Sequence, residues 1–191
     1  MTINNQIIIV SGLPRSGTSM LMKILERGGI DILQDKKRES DIDNPGGYYE
    51  HEAVKNLGKN NKWIVNAVGQ ALKVVSLQLE FLPLDLNYKI IFVDRNLDEV
   101  LLSQEKMQFN RKSIDKIKNE EMLRYYRIHL IKIKRWLLNK DNFDTLYLRY
   151  DNIIKSPGKN INLINNFLGN ILDIKQASKV VNPSLYRNRV D

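Results

Sequence analysis

The sequence predicts an α/β protein, a three-layer sandwich in which helices cover both faces of a mainly parallel sheet. Apolar runs and amphipathic segments alternate along the chain, as they do in parallel α/β units. The apolar runs are rich in β-branched residues and show no polar alternation, which is typical of strands covered on both faces. A glycine-bearing turn joins the first apolar run to the first amphipathic segment, as at the start of a βα unit.

The first half of the chain supplies two strands, one helix and a long polar segment. Residues 6–10 predict the first strand, and residues 18–26 predict a helix that ends at a Gly-Gly pair. Residues 31–47 are polar and charged, and we interpret them as a loop or lid. Residues 71–76 predict a second buried strand.

The second half continues the alternation. Residues 89–94 predict a third strand, with a stronger signal than the second, and a helix follows at about 98–106. The apolar residues of 119–139 recur at steps of three and four, which predicts a long amphipathic helix. Residues 146–150 predict a fourth strand, and a proline at the first position opens a helix at 157–168.

Length and composition predict one domain over residues 1–191, with residues 31–70 as a lid or substrate-binding segment. The chain has no cysteine, and His51 and His129 are its two histidines, which excludes disulfides, a thiol nucleophile and a multi-histidine metal site. The apolar run near the N-terminus is too short for a signal peptide or a membrane span. We therefore expect a cytoplasmic protein that needs no metal.

The chain carries a net charge of +8, from 30 basic and 22 acidic residues. A nucleic acid, a polyanionic small ligand or a lysine-rich solvated surface would each account for this excess. Composition alone leaves these three interpretations open.

A candidate phosphate loop lies between the first strand and the first helix, with the sequence Gly12-Leu-Pro-Arg-Ser-Gly-Thr-Ser19. Glycines let the backbone approach an anion, the N–H groups of the helix start point at it, and the helix dipole adds about 0.3–1 kcal/mol. A Walker A loop requires a lysine where this chain has Thr18, and the nearest cation is Arg15. The missing lysine argues against ATP chemistry.

A second candidate site follows the strand at 89–94. Arg95 leaves the carboxyl end of that strand, where ligands of open α/β sheets bind. Ser103 comes eight residues later, two turns into the next helix and on the same side, so both side chains can bind one phosphate. Alternatively, Arg95 pairs with Asp98 and Ser103 is an ordinary hydroxyl on the helix face.

These two sites resemble the two signatures of the sulfotransferase superfamily. The 5′-phosphosulfate loop of that family is matched throughout by Pro14-Arg15-Ser16-Gly17-Thr18-Ser19. The arginine form of the loop is similar to that of bacterial, carbohydrate and tyrosylprotein sulfotransferases. Arg95 and Ser103 match the family's pair that binds the 3′-phosphate.

Two weaker matches lie further along the chain. Residues 146–169 resemble a family segment that would place Tyr150 near the adenine. Arg187 and Arg189 are reminiscent of the basic motif that closes over the 3′-phosphate. A solvated basic tail would account for these two arginines at least as well. The resemblance implies a P-loop NTPase-like fold and sulfuryl transfer from 3′-phosphoadenosine 5′-phosphosulfate (PAPS) to a small-molecule or carbohydrate acceptor. It implies no metal, nucleic acid or membrane.

The resemblance also suggests catalytic residues. Arg15 would stabilise charge on the transferring group, and Lys73 falls near the family's strand lysine, unless it is a solvated lysine at the edge of the sheet. Cytosolic members place a histidine base two residues after that lysine, where this chain has Val75.

Other branches of the superfamily use a glutamate as the base. We favour Glu50, then His51 and then Asp43, with the alternative that Glu50 starts the next helix. His129 is assigned to packing or a solvated helix face.

Two other functions compete with this one. A P-loop kinase or NTPase would use Asp94 as its Mg²⁺ ligand, and the missing Walker lysine and the pair Arg95 and Ser103 argue against it. A non-catalytic binder of nucleotides or nucleic acid would use the basic charge. It predicts basic residues interleaved with aromatic ones, and the sequence shows no such motif.

Overall fold

The structure is a computed structural model that describes residues 5–35, 37–38, 40–110 and 119–186 of the 191-residue chain. Within these residues a four-stranded sheet has the order β2-β1-β3-β4, and all of its neighbouring strands pair in parallel. The strands are β1 Gln6–Gly12, β2 Ala71–Lys73, β3 Asn87–Asp94 and β4 Phe143–Arg149.

The helices follow the strands in alternation. The α-helices are α1 Thr18–Arg27, α2 Leu97–Asn110, α3 Asn119–Leu138, α4 Tyr150–Lys155, α5 Pro157–Phe167 and α6 Ile174–Ser178. Short 3₁₀ helices lie at Glu52–Asn56, Lys62–Ala67, Ser76–Phe81 and Pro183–Leu185. In the described part of the chain no helix is both long enough and apolar enough to cross a lipid bilayer.

The inner part of the sheet is buried on both faces, which explains why β1 lacks a polar alternation. Ile8 and Val10 of β1 pack on one face, in a core shared with α1, α4 and α5. Ile7 and Ile9 point to the other face, where they pack with α3 and the 3₁₀ segments. All four of these side chains are fully buried. The three-layer α/β prediction is therefore confirmed.

The parallel register brings the carboxyl ends of the strands to one edge of the sheet. Val10 of β1 lies beside Lys73 of β2, and Gly12 lies beside Val93 of β3. Asp94 is level with Arg149 at the end of β4. The segments that leave these strands therefore converge, and such edges are where open α/β sheets bind ligands.

The second and fourth strands have different bounds from those predicted. The second strand is only three residues long, because the chain turns away after Lys73 and enters the 3₁₀ helix at Ser76. The fourth strand begins at Phe143, and Tyr150, predicted to end it, is instead the first residue of α4. Asp151 in the first turn of α4 is favourable at a helix N-terminus, which helps to start the helix there.

Candidate active site

The phosphate loop that joins β1 to α1 requires glycine at two positions. Gly12 and Gly17 have φ angles of 151° and 105°. A Cβ on Gly17 would lie 2.4 Å from Cδ2 of Tyr150, and one on Gly12 would lie 2.5 Å from Oγ of Ser16. Arg15 has a φ of 72° although it is not glycine, a conformation that costs about 1–3 kcal/mol. Backbone strain in the loop is thus found at Arg15.

Ser16 holds the loop closed from inside. Its side chain is buried, and its hydroxyl and its backbone N–H both donate to the carbonyl of Leu13, over 2.7 and 3.1 Å. Gly17 then caps α1 without a side-chain hydrogen bond. The N–H groups at the start of α1, at Thr18 and Ser19, are therefore left for an anion.

A cavity of about 430 Å³ lies in front of this loop, and we call it the larger cavity. It brings together most of the residues that the sequence singled out. Those that line it are Pro14, Arg15, Gly17, Thr18, Ser19, Asp43, Glu50, Lys73, Arg95, Ser103 and Tyr150.

Arg15 connects the phosphate loop to α2. Its Nε donates to Oγ of Ser103 over 3.1 Å, and its Nη2 donates to the backbone carbonyl of Asp43 over 2.8 Å. Burial lowers the pKa of the Arg15 guanidinium, while nearby Tyr48 and Asp43 oppose that shift. The phosphate loop, the polar segment 31–47 and α2 therefore meet at the guanidinium of Arg15.

Arg95 is fixed on three sides. Its Nε donates to Oε2 of Glu99 over 2.9 Å, and its Nη1 donates to the carbonyl of Arg15 over 3.1 Å. Its guanidinium lies 4.4 Å from the centre of the Tyr150 ring, a cation–π distance. The partner of Arg95 is thus Glu99 and not Asp98, the alternative considered from the sequence.

Glu99 is a site residue that sequence reasoning missed. It is buried, pairs with Arg95 and accepts a hydrogen bond from the hydroxyl of Tyr186 over 2.6 Å. The available signal was its position, since Glu99 lies in the first turn of α2, four residues after Arg95.

Lys73 is buried at the end of β2, with 7% of its surface exposed, so it is not a solvated lysine at the sheet edge. Its ammonium donates to the carbonyl of Tyr48 and lies 3.4 Å from Oγ of Ser19 and 3.5 Å from Oε1 of Glu50. Burial lowers the pKa of Lys73 to about 8, against the opposing effect of the Glu50 carboxylate. The lysine therefore links the lid segment to the phosphate loop.

Glu50 lies before the 3₁₀ helix Glu52–Asn56 rather than within it, so it does not start that helix. Both of its carboxylate oxygens accept hydrogen bonds from Nη1 of Arg38 over 3.1 Å. The guanidinium of Arg38 in turn lies 3.3 Å from the centre of the Tyr48 ring. Sequence reasoning missed Arg38, because nothing local indicates that two parts of one loop face each other.

His51 and His129 have different surroundings. The His51 ring stacks on Trp63, with ring centres 4.6 Å apart, and borders a second cavity of about 250 Å³ beside Glu50. Nε2 of His129 lies 2.9 Å from Oγ of Ser76, between α3 and a 3₁₀ helix. His129 thus contributes to packing between these helices, and burial lowers its pKa.

Arg187 and Arg189 lie outside the described residues, so their predicted contact with the 3′-phosphate remains a prediction. Nearby, the Tyr186 ring packs edge-on against Tyr150, with ring centres 5.2 Å apart. Asp94, which a P-loop kinase would use as its Mg²⁺ ligand, forms an ion pair with Lys134. Nζ of Lys134 lies 2.6 Å from Oδ2 of Asp94.

The parallel sheet and the glycine-bearing loop after its first strand define an α/β protein with a P-loop NTPase-like fold. The model of the sulfotransferase domain family matches residues 5–188, and the chain belongs to this family. No curated protein matches the chain in sequence.

Solved sulfotransferase structures share this fold. Mouse sulfotransferase SULT7A1 complexed with PAP superposes with a TM-score of 0.60 at 20% identity, over 93% of this chain and 63% of that one. This chain is thus similar to less than two thirds of the mouse protein. The sulfotransferase from Alicyclobacillus acidocaldarius gives 0.55 at 16% identity, over 94% and 87% of the two chains. The sulfotransferase domain from the curacin biosynthetic pathway gives 0.54 at 12% identity, over 97% and 92%.

Proposed function

We propose that the protein transfers a sulfuryl group from PAPS to a hydroxyl or amine of a small-molecule or carbohydrate acceptor. One observation carries the proposal: a single cavity is lined by the phosphate loop, by Arg95 with Ser103, and by a buried lysine beside a carboxylate. PAPS has two separate anionic ends. The first two groups of residues suit these ends, and the third suits the transfer chemistry between donor and acceptor.

Donor binding uses groups that are already in position. The N–H groups at the start of α1, with Arg15, bind the 5′-phosphosulfate, and Tyr150 lies beside the adenine. Arg95 and Ser103 bind the 3′-phosphate. Because Ser103 accepts its hydrogen bond from Arg15, its own hydroxyl hydrogen is left to donate to that phosphate. The ion pair with Glu99 holds Arg95 ready, which reduces the ordering that binding requires.

The transfer step needs one base and two cations. The acceptor hydroxyl loses its proton to the Glu50 carboxylate as its oxygen forms a bond to sulfur. The bond between sulfur and the bridging oxygen breaks, and its electron pair stays with the 5′-phosphate of the departing adenosine 3′,5′-bisphosphate (PAP). Arg15 and Lys73 stabilise the charge that develops on the sulfuryl and leaving oxygens. Glu50 afterwards returns the proton to water.

Glu50 is favoured as the base by its location. It borders both cavities, so it can face an acceptor on one side and the donor on the other. Arg38 and Lys73 fix the direction of its carboxylate. Of the two cavities, His51 borders the second and not the larger one, and it is the next candidate for the base. Asp43, which borders the larger cavity, is the third candidate.

The test is direct detection of transfer. The protein is incubated with PAPS, EDTA and a panel of hydroxyl and amine acceptors, and both PAP and the sulfated product are quantified. Product formed in equal amount with PAP, and unaffected by EDTA, is the expected result. PAP binding without a product from any acceptor would favour the non-catalytic reading. A strict Mg²⁺ requirement with ATP turnover would instead support a kinase or NTPase.

A further inference from the structure

Helix α3 has apolar side chains on its exposed side as well as on its buried side. Its buried side packs in the core through Tyr126, Ile133 and Leu137, which are at most 6% exposed. A helix that packs on one side normally presents charged and polar residues on the other. On α3 that other side also carries four large apolar residues that are 44–77% exposed, and they are Tyr125, Ile128, Ile131 and Leu138.

The exposed side of α3 is also strongly basic. Four exposed cations lie among the apolar residues, and they are Arg124, Arg127, Lys132 and Arg135. The two glutamates of α3, Glu120 and Glu121, lie in its first turn, and residues 122–138 contain no carboxylate. None of the four cations forms a salt bridge with another residue in the described part of the chain.

The four apolar residues and the four cations form one continuous face, which we call the α3 strip. With 3.6 residues per turn, all eight fall within about 160° of the helix circumference. The strip is about 21 Å long, because each residue advances the helix by about 1.5 Å. Successive turns of α3 therefore present a cation beside an apolar side chain.

This combination of side chains suits the surface of a lipid bilayer. Aliphatic side chains can enter the boundary between headgroups and acyl chains, while long arginine and lysine side chains extend to the lipid phosphates. A tyrosine, with its apolar ring and polar hydroxyl, suits the same boundary. The four cations favour headgroups with a negative charge.

Other partners fit the α3 strip less well. A second copy of the chain would place the four cations opposite four more, because a twofold interface pairs a surface with itself. A nucleic acid would contact the cations and leave the aliphatic side chains unused. A strip about 21 Å long and about 10 Å wide also covers far less than the roughly 800 Å² that each partner contributes to a standard protein interface.

We propose that the α3 strip binds the surface of membranes that contain anionic lipids. The helix lies parallel to the membrane plane, with the strip against the headgroups and its buried side still packed in the core. This inference is independent of the proposed sulfuryl transfer, since none of the eight residues is among those that line the larger cavity. It departs from the resemblance in sequence, which implied no membrane.

The test is sedimentation of the full chain with vesicles of phosphatidylcholine, with and without about 30% phosphatidylglycerol. We expect binding to the anionic vesicles to be at least about tenfold tighter than binding to the neutral ones. Each cation near an anionic surface contributes about fivefold in affinity, so Arg124→Gln combined with Arg135→Gln should weaken binding about 25-fold. Ile128→Gln combined with Ile131→Gln should weaken it about tenfold, because the strip then has less apolar surface to insert.

A matched control removes the same charge elsewhere. Lys159 of α5 and Lys175 of α6 are exposed, and these helices pack on the opposite face of the sheet from α3. Lys159→Gln combined with Lys175→Gln should therefore weaken vesicle binding by less than about threefold. Because all the substituted residues are exposed, thermal unfolding should give the same melting temperature for every variant.

Three results would overturn this inference. The first is that the chain binds neither kind of vesicle. The second is that the lysine pair weakens binding as much as the arginine pair does, which would indicate attraction by net charge alone. The third is full binding by the isoleucine variant. Binding to polyglutamate without binding to vesicles would also overturn it, and would assign the α3 strip to an acidic protein.

Discussion

Nε of Arg15 lies 3.1 Å from Oγ of Ser103, so the phosphate loop and α2 are joined by a hydrogen bond inside the cavity. Arg95 adds a second link, because its guanidinium donates to the backbone carbonyl of Arg15. The two motifs that the sequence presents separately therefore form one network.

If the proposed donor site is right, PAP should raise the melting temperature more than AMP or ATP does, because Arg95 and Ser103 would bind the 3′-phosphate. Binding to the native state alone stabilises by about 2.7 kcal/mol at a hundredfold excess over the dissociation constant. Thermal unfolding in EDTA measures the difference. Equal shifts of the melting temperature with AMP and PAP would show that Arg95 and Ser103 do not bind the 3′-phosphate.

Arg15→Ala and Arg95→Ala should impair the protein differently. Loss of Arg15 removes charge stabilisation at the transferring group, so kcat should fall by about 10²–10³ with a smaller change in PAP affinity. Loss of Arg95 should mainly weaken PAP binding. Calorimetry with PAP and steady-state kinetics separate the two effects, and Arg27→Ala, an exposed cation at the end of α1, is the matched control. The reverse pattern would show that the two phosphates are assigned the wrong way round.

Glu50→Gln should lower kcat by about 10²–10⁴ while PAP binding stays unchanged, because the amide keeps the shape of the side chain but cannot accept a proton. His51→Gln is the comparison. An inactive His51→Gln with an active Glu50→Gln would make the imidazole the base, and activity in both would direct attention to Asp43.

Lys73 should give kcat/KM for PAPS a basic limb near pH 8, since burial lowers its pKa to about 8 and only the ammonium form would stabilise the sulfuryl oxygens.

The pKa of Lys73 should also affect the stability of the fold. In the folded chain this pKa lies below the ordinary value of 10.5, so the unfolded chain binds more protons between pH 8 and 10.5. The contribution of Lys73 to the free energy of unfolding should therefore become more favourable to the folded state as the pH rises from 8 to 10.5. Lys73→Met should lose both the limb and this rise. Urea unfolding across the range checks the second point, and an identical pH dependence in the variant would contradict it.

Glu99→Gln should destabilise the fold by about 3–5 kcal/mol, because it leaves Arg95 as a buried charge without its anion. Asp98→Asn is the matched control in the same turn of α2. Its side chain is exposed, so its effect should stay within about 0.5 kcal/mol. Urea unfolding compares the two. Equal stabilities would mean that the pair Arg95 and Glu99 contributes little to the native state.

The sequence predicted the parts of this fold that depend on neighbouring residues in the chain. The strands and helices follow the apolar runs and the periodicity, and the loop between β1 and α1 lies where its glycines indicated. Parallel pairing then brings Lys73, Arg95 and Tyr150 to one edge, because each lies at the carboxyl end of a strand or directly after it.

Other features depend on long-range packing and have no local signal. Lys73 is buried on an edge strand because residues 48–50 cover it, and that requires the path of the lid. The contact between Arg38 and Glu50 depends on the same path. The 3₁₀ helices replace regular structure in segments whose apolar residues follow neither the helix nor the strand period, so their pattern gave no prediction.

The contact between Gly17 and Tyr150 has a consequence for protein synthesis. The ring of Tyr150 fills the space that a side chain on residue 17 would need, so the loop gains its final surroundings only once α4 has formed. Ribosomes add about 5–20 residues per second. For several seconds after residue 17 is made, the nascent chain therefore contains the loop without the later residues that line the same cavity. A ligand that needs the complete cavity can stabilise the chain late in translation, and not while its first half is emerging.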